Sequence, residues 1–122
     1  MKSPYKGFTR ILKAFVYSCD GFKSSFRSEA AFRQDLVIFI LGALFLFFLP
    51  FPLQDKAVLF FSLILILLME LVNTAIETII DRISDDYHDL SKKAKDIGSL
   101  LVLLSFVNAF ICWIMIFVSF FS

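Results

Sequence analysis

Glycine is sparse in this chain, and its four residues, Gly7, Gly21, Gly42 and Gly98, stand too far apart to build a phosphate-cradling loop. No G-x-x-x-x-G-K-[ST], no G-x-G-x-x-G and no H-R-D loop is present, which excludes the soluble nucleotide-binding folds that depend on them. Cysteine is also scarce: Cys19 lies in a charged N-terminal segment and Cys112 inside an apolar run. Such different surroundings argue against a disulfide, and both read as packing residues. An excess of one charge is missing too, with 12 basic against 11 acidic residues, which argues against a nucleic-acid partner. The first 35 residues contain no apolar core of a secretory signal, so the first apolar run is expected to be retained.

What the chain has in abundance is apolar residues, 59% of 122, with a mean hydropathy of +0.83. That places it among integral membrane proteins, as one domain. Leu36 to Leu53 is 18 residues without a charge, enough for about 27 Å of helix, and Pro50 and Pro52 mark its end. A short connection through Gln54, Asp55 and Lys56 leads to a second span over 57–80, the two forming a helical hairpin. A third span is expected over 97–121, with Trp113 toward its far end as an interfacial belt residue. Ahead of them, residues 5–28 place Phe8, Ile11, Leu12, Phe15, Cys19, Phe22 and Phe26 at three- and four-residue steps, with basic residues largely elsewhere on the wheel. This predicts an amphipathic helix lying in the membrane interface, its basic face suited to headgroups or nucleotide phosphates.

The second span carries the feature around which the chain is organised. Its charge-free half ends at Met69, and over the next turns Glu70, Asn73, Thr74, Glu77 and Asp81 fall at roughly 0°, −60°, +40°, −20° and +20° on the helical wheel. They form one stripe. Carboxylates beside a membrane core cost about 2.5–3.5 kcal/mol each at mid-span, so they face a partner, a cavity or an ion. Glu70 and Glu77 are separated by roughly 10 Å along the axis, room for a deeper carboxylate that abstracts a proton and a shallower one that holds a metal. A structural polar seam between helices is the plainer reading.

The remaining charge is concentrated at two places. Glu29, Arg33 and Asp35 precede the first apolar run, and Glu29 and Arg33 have the spacing of a local ion pair. Residues 81–96 are the most polar stretch, expected as a surface loop with helix at both ends, whose Asp85, Asp86, Asp89, Lys92, Lys93 and Lys95 form either a solvated linker or phosphate and ribose contacts. His88, the one histidine, reads as solvated. Basic residues number seven in the N-terminal segment (Lys2, Lys6, Arg10, Lys13, Lys23, Arg27, Arg33), four in the second loop and only Lys56 in the hairpin. Both basic segments are therefore expected on the cytoplasmic side, where Glu29, the stripe and the Lys95–Asp96 pair converge.

Three carboxylates, two basic side chains and an amide at a lipid boundary suit phosphoryl transfer from a soluble donor to a lipid hydroxyl. A proton- or cation-coupled transporter using Glu70 and a non-catalytic assembly subunit remain alternatives from other classes. The stretch Glu70-Leu-Val-Asn73-Thr-Ala-Ile-Glu77-Thr-Ile-Ile-Asp81 resembles the E-x-x-N-[ST]-A-x-E-x-x-x-D pattern of the small prokaryotic diacylglycerol kinase family. The likeness extends through Gly7-Phe-Thr-Arg10, Glu29-Ala-Ala-Phe-Arg33-Gln34, Asp81-Arg-Ile-Ser, Tyr87-His88 and Ala94-Lys95-Asp96-Ile-Gly98-Ser99, motifs in the right order over nearly the whole chain. Undecaprenol kinases belong to the same family, but the GFTR, EAAFRQ and YH segments are more similar to its Gram-negative diacylglycerol kinases.

The resemblance implies an all-α homotrimer in the bacterial inner membrane, with an interfacial helix and three transmembrane helices per protomer and active sites shared between neighbours. It implies Glu70 as the general base acting on the lipid hydroxyl, Asn73 as its support, and Glu29 and Glu77 as holders of the magnesium on ATP. Arg10, Tyr17, Asp86, Tyr87, His88, Lys95 and Asp96 would contact the nucleotide. The lipid would lie along Arg10, Ala14, Ser18, Lys23, Ser24, Ser25, Phe26, Ala31, Phe32, Arg33, Gln34, Asp35, Ser99 and Trp113. Asp86 stands where the family pattern has Glu, and Cys19 and Asp20 stand where it has aromatic and basic residues.

Overall fold

A computed structural model of the protein describes residues 4–122, and Lys2, counted above among the basic residues, lies outside them. Four helices follow one another: α1 (Gly7–Ser28), α2 (Ala30–Phe48), α3 (Leu53–Ile83) and α4 (Asp89–Phe121). The last three are long and apolar enough to cross a membrane. α3 lies between α2 and α4 and packs most heavily on α4, whereas α1 rests lightly on α2 and buries none of its residues. The molecule is thus a three-helix bundle with an outlying fourth helix.

Local chemistry sets the breaks. Glu29 is extended, at φ −115° and ψ 106°, and serves both as the last cap of α1 and the first of α2. The expected Glu29–Arg33 ion pair does not form. Arg33 instead turns back and donates from Nη1 to the carbonyls of Phe26 at 2.7 Å and Arg27 at 3.1 Å, satisfying acceptors that the end of α1 would leave open. Phe32, 2% exposed, meets Phe22 edge-on at 5.6 Å and completes the α1–α2 joint. Those contacts leave the Glu29 carboxylate without a cationic neighbour within ion-pair distance among the described residues.

Between α2 and α3, Leu49 turns extended ahead of Pro50, because a residue before proline avoids the helical region. Pro52 caps α3 and needs no N–H there. The first apolar run therefore stops being helical at Phe48, and α2 gains its length at the other end by starting at Ala30. Phe51 is buried at the base of this hairpin, edge-on to Phe117 at 5.0 Å and to Phe120 at 4.9 Å.

The polar stretch 81–96 is helical at both ends, and the loop within it is short. Only Ser84 to His88 is non-helical, and α3 and α4 extend into it from either side. His88 is the reason α4 starts where it does: its Nδ1 accepts from the Leu90 N–H at 3.1 Å, filling the place of a Ser or Asp cap. Asp89 in the first turn and the Lys92–Asp96 pair at 2.6 Å favour the same helix. A histidine read as merely solvated is a helix cap.

Packing along α2 follows three- and four-residue steps: Phe32, Asp35, Phe39, Gly42 and Leu46 turn toward the bundle as buried or half-buried residues. α3 answers with Leu59, Leu63, Ile66 and Glu70, all buried. The helices run antiparallel in a definite register. Leu46 joins Leu59 in one cluster, and Gly42 stands so close to Leu63 that a Cβ there would come within 2.7 Å of a leucine methyl. Seven residues from Gly42 toward the start of α2 is Asp35, and seven from Leu63 toward the end of α3 is Glu70. The register thus sets these two carboxyl groups opposite each other. Trp113 also turns inward: its indole N–H donates to Ser62 Oγ at 3.2 Å and its ring stacks near Phe45 and Phe117, so it finds its polar partner inside the bundle.

Candidate active site

The α3 stripe continues the packing face of the helix, and its deeper members Glu70 and Asn73 are covered, the first by α2 and the second by α4. Glu70 is 8% exposed, buried against Asp35 of α2, itself 7% exposed, with their carboxyl groups in hydrogen-bonding contact. Glu29 and Glu77 are both half-buried and close enough for their charges to act on Glu70. The α2–α3 register explains this convergence, since Glu29 precedes Asp35 by six residues and Glu77 follows Glu70 by seven. Asn73 Nδ2 donates to Glu77 Oε1 at 3.3 Å, while Asn73 Oδ1 is buried without a hydrogen-bond partner among the described residues. The Asn73 amide is thus bonded to Glu77.

Gly98 is what lets α4 approach this point. A Cβ on Gly98 would collide with Asn73 Oδ1 and come within 3.4 Å of the Ile76 terminal methyl, so only glycine fits here without movement. The two helices are drawn together again one turn outward, where Lys95 Nζ meets Asp81 Oδ1 at 2.8 Å. Lys95 thus pairs across helices and Asp96 pairs with Lys92, so the adjacent Lys95 and Asp96 have separate partners.

Beyond this ion pair opens a cleft of about 500 Å³ between the end of α3 and the start of α4. Asp81, Asp86, Tyr87, His88, Lys95 and Asp96 line it, which brings five of the seven nucleotide-side residues expected from the sequence into one cavity. Tyr87 is exposed, and a hydrogen bond with the Asp89 carboxylate holds its phenol above its ordinary value, so it remains a neutral donor near pH 7. The cleft carries more acid than base. A bare triphosphate would be repelled there, whereas one carrying a divalent cation would be repelled less.

Arg10 and Tyr17 do not line that cleft; they lie exposed on α1, as do Ala14, Ser18, Lys23, Ser24 and Phe26, with Ser25 half-buried. Ala31 and Gln34 are exposed on α2 and Ser99 on α4. Within the segment expected to touch lipid, Phe32, Arg33 and Asp35 take part in the α1–α2 joint and the Glu70 contact. Asp35 is the residue whose part the sequence pattern understated. Its signal was its position: an acid on a face of α2 otherwise filled by Phe32, Phe39, Gly42 and Leu46.

No group of three or more metal-ligating side chains assembles among the described residues. Two carboxylates suffice for magnesium, which retains waters and takes further oxygens from substrate phosphates. Glu29 and Glu77 fit that chemistry, being half-buried and lacking a Lys or Arg within ion-pair distance.

Residues 16–117 match the family model described as prokaryotic diacylglycerol kinase. A protein named diacylglycerol kinase from Escherichia coli strain K12 is 41% identical over 107 residues, covering 88% of each chain. The protein of that name from Pseudomonas aeruginosa is 40% identical over 114 residues, 91% of this chain and 93% of its own. One from Helicobacter pylori is 32% identical over 108 residues, covering 88% and 84%.

Proposed function

The chain belongs to the prokaryotic diacylglycerol kinase family, and from that premise we propose that it transfers the γ-phosphoryl group of ATP to the primary hydroxyl of diacylglycerol, yielding phosphatidic acid and ADP. The observation that carries the reading is the continuity of α3. One helix presents a buried Glu70, then the Asn73–Glu77 pair, then Asp81 at the mouth of the polar cleft. A lipid hydroxyl at the membrane boundary and a nucleotide in the cleft would approach each other along that face.

In this mechanism Glu70 takes the hydroxyl proton as the lipid oxygen forms its bond to the γ-phosphorus. The bond from that phosphorus to the β–γ bridging oxygen breaks, and ADP leaves with the electron pair. Lys95, held by Asp81, offers its remaining N–H groups to phosphate oxygens, and Tyr87 and His88 form the wall on which the nucleotide rests. Glu29 and Glu77 would hold magnesium, which when bound neutralises phosphate charge. The bilayer itself concentrates the lipid substrate.

The active assembly is a homotrimer in the inner membrane with α1 lying in the interface, which supplies partners for the apolar faces that one chain leaves open, among them Phe8, Phe15, Leu41, Leu103 and Phe110. The basic N-terminal segment and the α3–α4 connection face the cytoplasm, where ATP is available. Diacylglycerol is preferred to undecaprenol because the relatives matched over most of the chain are named for it.

Labelling the γ-phosphate of ATP tests this reading against a transporter. The label is expected in a lipid product when purified protein, magnesium and diacylglycerol are combined; solute flux through sealed vesicles with no labelled lipid would contradict it. Glu77→Gln is expected to raise the magnesium concentration needed for half-maximal rate by at least about tenfold, since even weakening an indirect support of a metal costs that much. An unchanged magnesium titration would remove Glu77 from the metal site.

A further inference from the structure

We propose that Asp35 is the positioning residue of Glu70, donating a hydrogen bond across the α2–α3 interface that fixes the direction of the Glu70 carboxylate. The inference rests on Glu70 being the base proposed above. Its first support is place: the antiparallel register anchored by Leu46 with Leu59 and by Gly42 with Leu63 carries Asp35 opposite Glu70. Burial is the second, since both residues are less than one-tenth exposed and their carboxyl groups are in contact. Chemistry is the third. Asp35 Oδ2 is buried with no hydrogen-bond partner among the described residues, and its helix face is otherwise apolar, so nothing in the packing itself calls for an acid there.

Two carboxyl groups in contact away from water are held together by a proton on one of them. In the state that reacts, that proton is on Asp35, so that one oxygen of Glu70 accepts from it and the other is available to the lipid hydroxyl. Glu29 and Glu77, the other acids near Glu70, face it from the joint before α2 and from the next turns of α3, so the four carboxyl groups divide between orientation and cation binding. A base that is not held in direction attacks from a spread of angles, and misplacement by about 1 Å costs about 10²-fold in rate.

The test compares Asp35→Leu, which removes the donor but suits an apolar seam, with Asp35→Asn, whose amide donates in the same place; Asp35→Ala replaces the leucine if bulk hinders assembly. Each is measured for kcat and for KM of ATP and of diacylglycerol, alongside Glu70→Gln. The leucine variant is expected to lose about 10²-fold in kcat with both KM values kept, and asparagine to recover all but about fivefold of it. A loss that falls on the lipid KM would make Asp35 a lipid contact, and an asparagine variant as slow as leucine, or a leucine variant with kcat kept, would equally overturn the proposal. If Glu70→Gln itself retains turnover, the base assignment has failed; if it is inactive while Asp35→Leu is not, only the positioning role has.

Discussion

Glu70→Gln is expected to reduce turnover by about 10²–10⁴-fold, the range typical of removing a positioned general base. Glutamine has nearly the volume of glutamate and can still exchange a hydrogen bond with Asp35, so neither the α2–α3 seam nor oligomeric assembly should suffer. What disappears is the capacity to accept the hydroxyl proton. Glu70 does not line the cleft that holds Asp86, Tyr87, His88, Lys95 and Asp96, so ATP binding should persist. The decisive comparison is kcat against ATP affinity in the same preparation: lost turnover with retained affinity supports the role, and retained turnover excludes it.

The second large effect is expected at Gly98. An alanine methyl would collide with Asn73 Oδ1 and lie 3.3 Å from Asn73 Cγ and 3.4 Å from the Ile76 methyl, against a buried face. Either α4 withdraws from α3 or the Asn73 amide turns away, and turning breaks its contact with Glu77 Oε1. Overpacking of this kind costs typically about 1–3 kcal/mol. The catalytic consequence separates this from simple strain, because a released Glu77 binds the cation less well. Gly98→Ala should therefore lower the thermal midpoint in detergent and also shift the magnesium requirement upward, in the direction expected of Glu77→Gln. An unaltered midpoint and an unaltered magnesium curve together would show that α4 does not constrain Asn73.

Much of this arrangement was already visible in the chain. Runs without charge located three helices that can cross a membrane, and the period of Glu70, Asn73, Glu77 and Asp81 placed them on one face of a single helix. The sequence is less informative where one residue has two possible partners. Glu29 and Arg33 have the spacing of an ion pair, yet the break at Glu29 ends α1 within reach of Arg33, whose guanidinium takes the open carbonyls of Phe26 and Arg27 instead. Lys95 and Asp96 are adjacent in the chain but, being about 100° apart on α4, point to different neighbours, Asp81 and Lys92. Mixed charge over 81–96 suggested a loop, although charges spaced four apart stabilise helix as readily, and His88 provides the cap that starts it. Asp35 needed the register between two helices, and register follows from the Gly42–Leu63 approach, a tertiary fact.

Phosphoryl transfer to diacylglycerol is tested most directly by a competition assay in which purified protein, magnesium and γ-labelled ATP are given diacylglycerol and undecaprenol together in mixed micelles. Labelled phosphatidic acid is expected as the dominant product, lost in Glu70→Gln. Dominant undecaprenyl phosphate would contradict the assigned substrate while leaving the carboxylate roles in place, and no labelled lipid of either kind would contradict phosphoryl transfer itself.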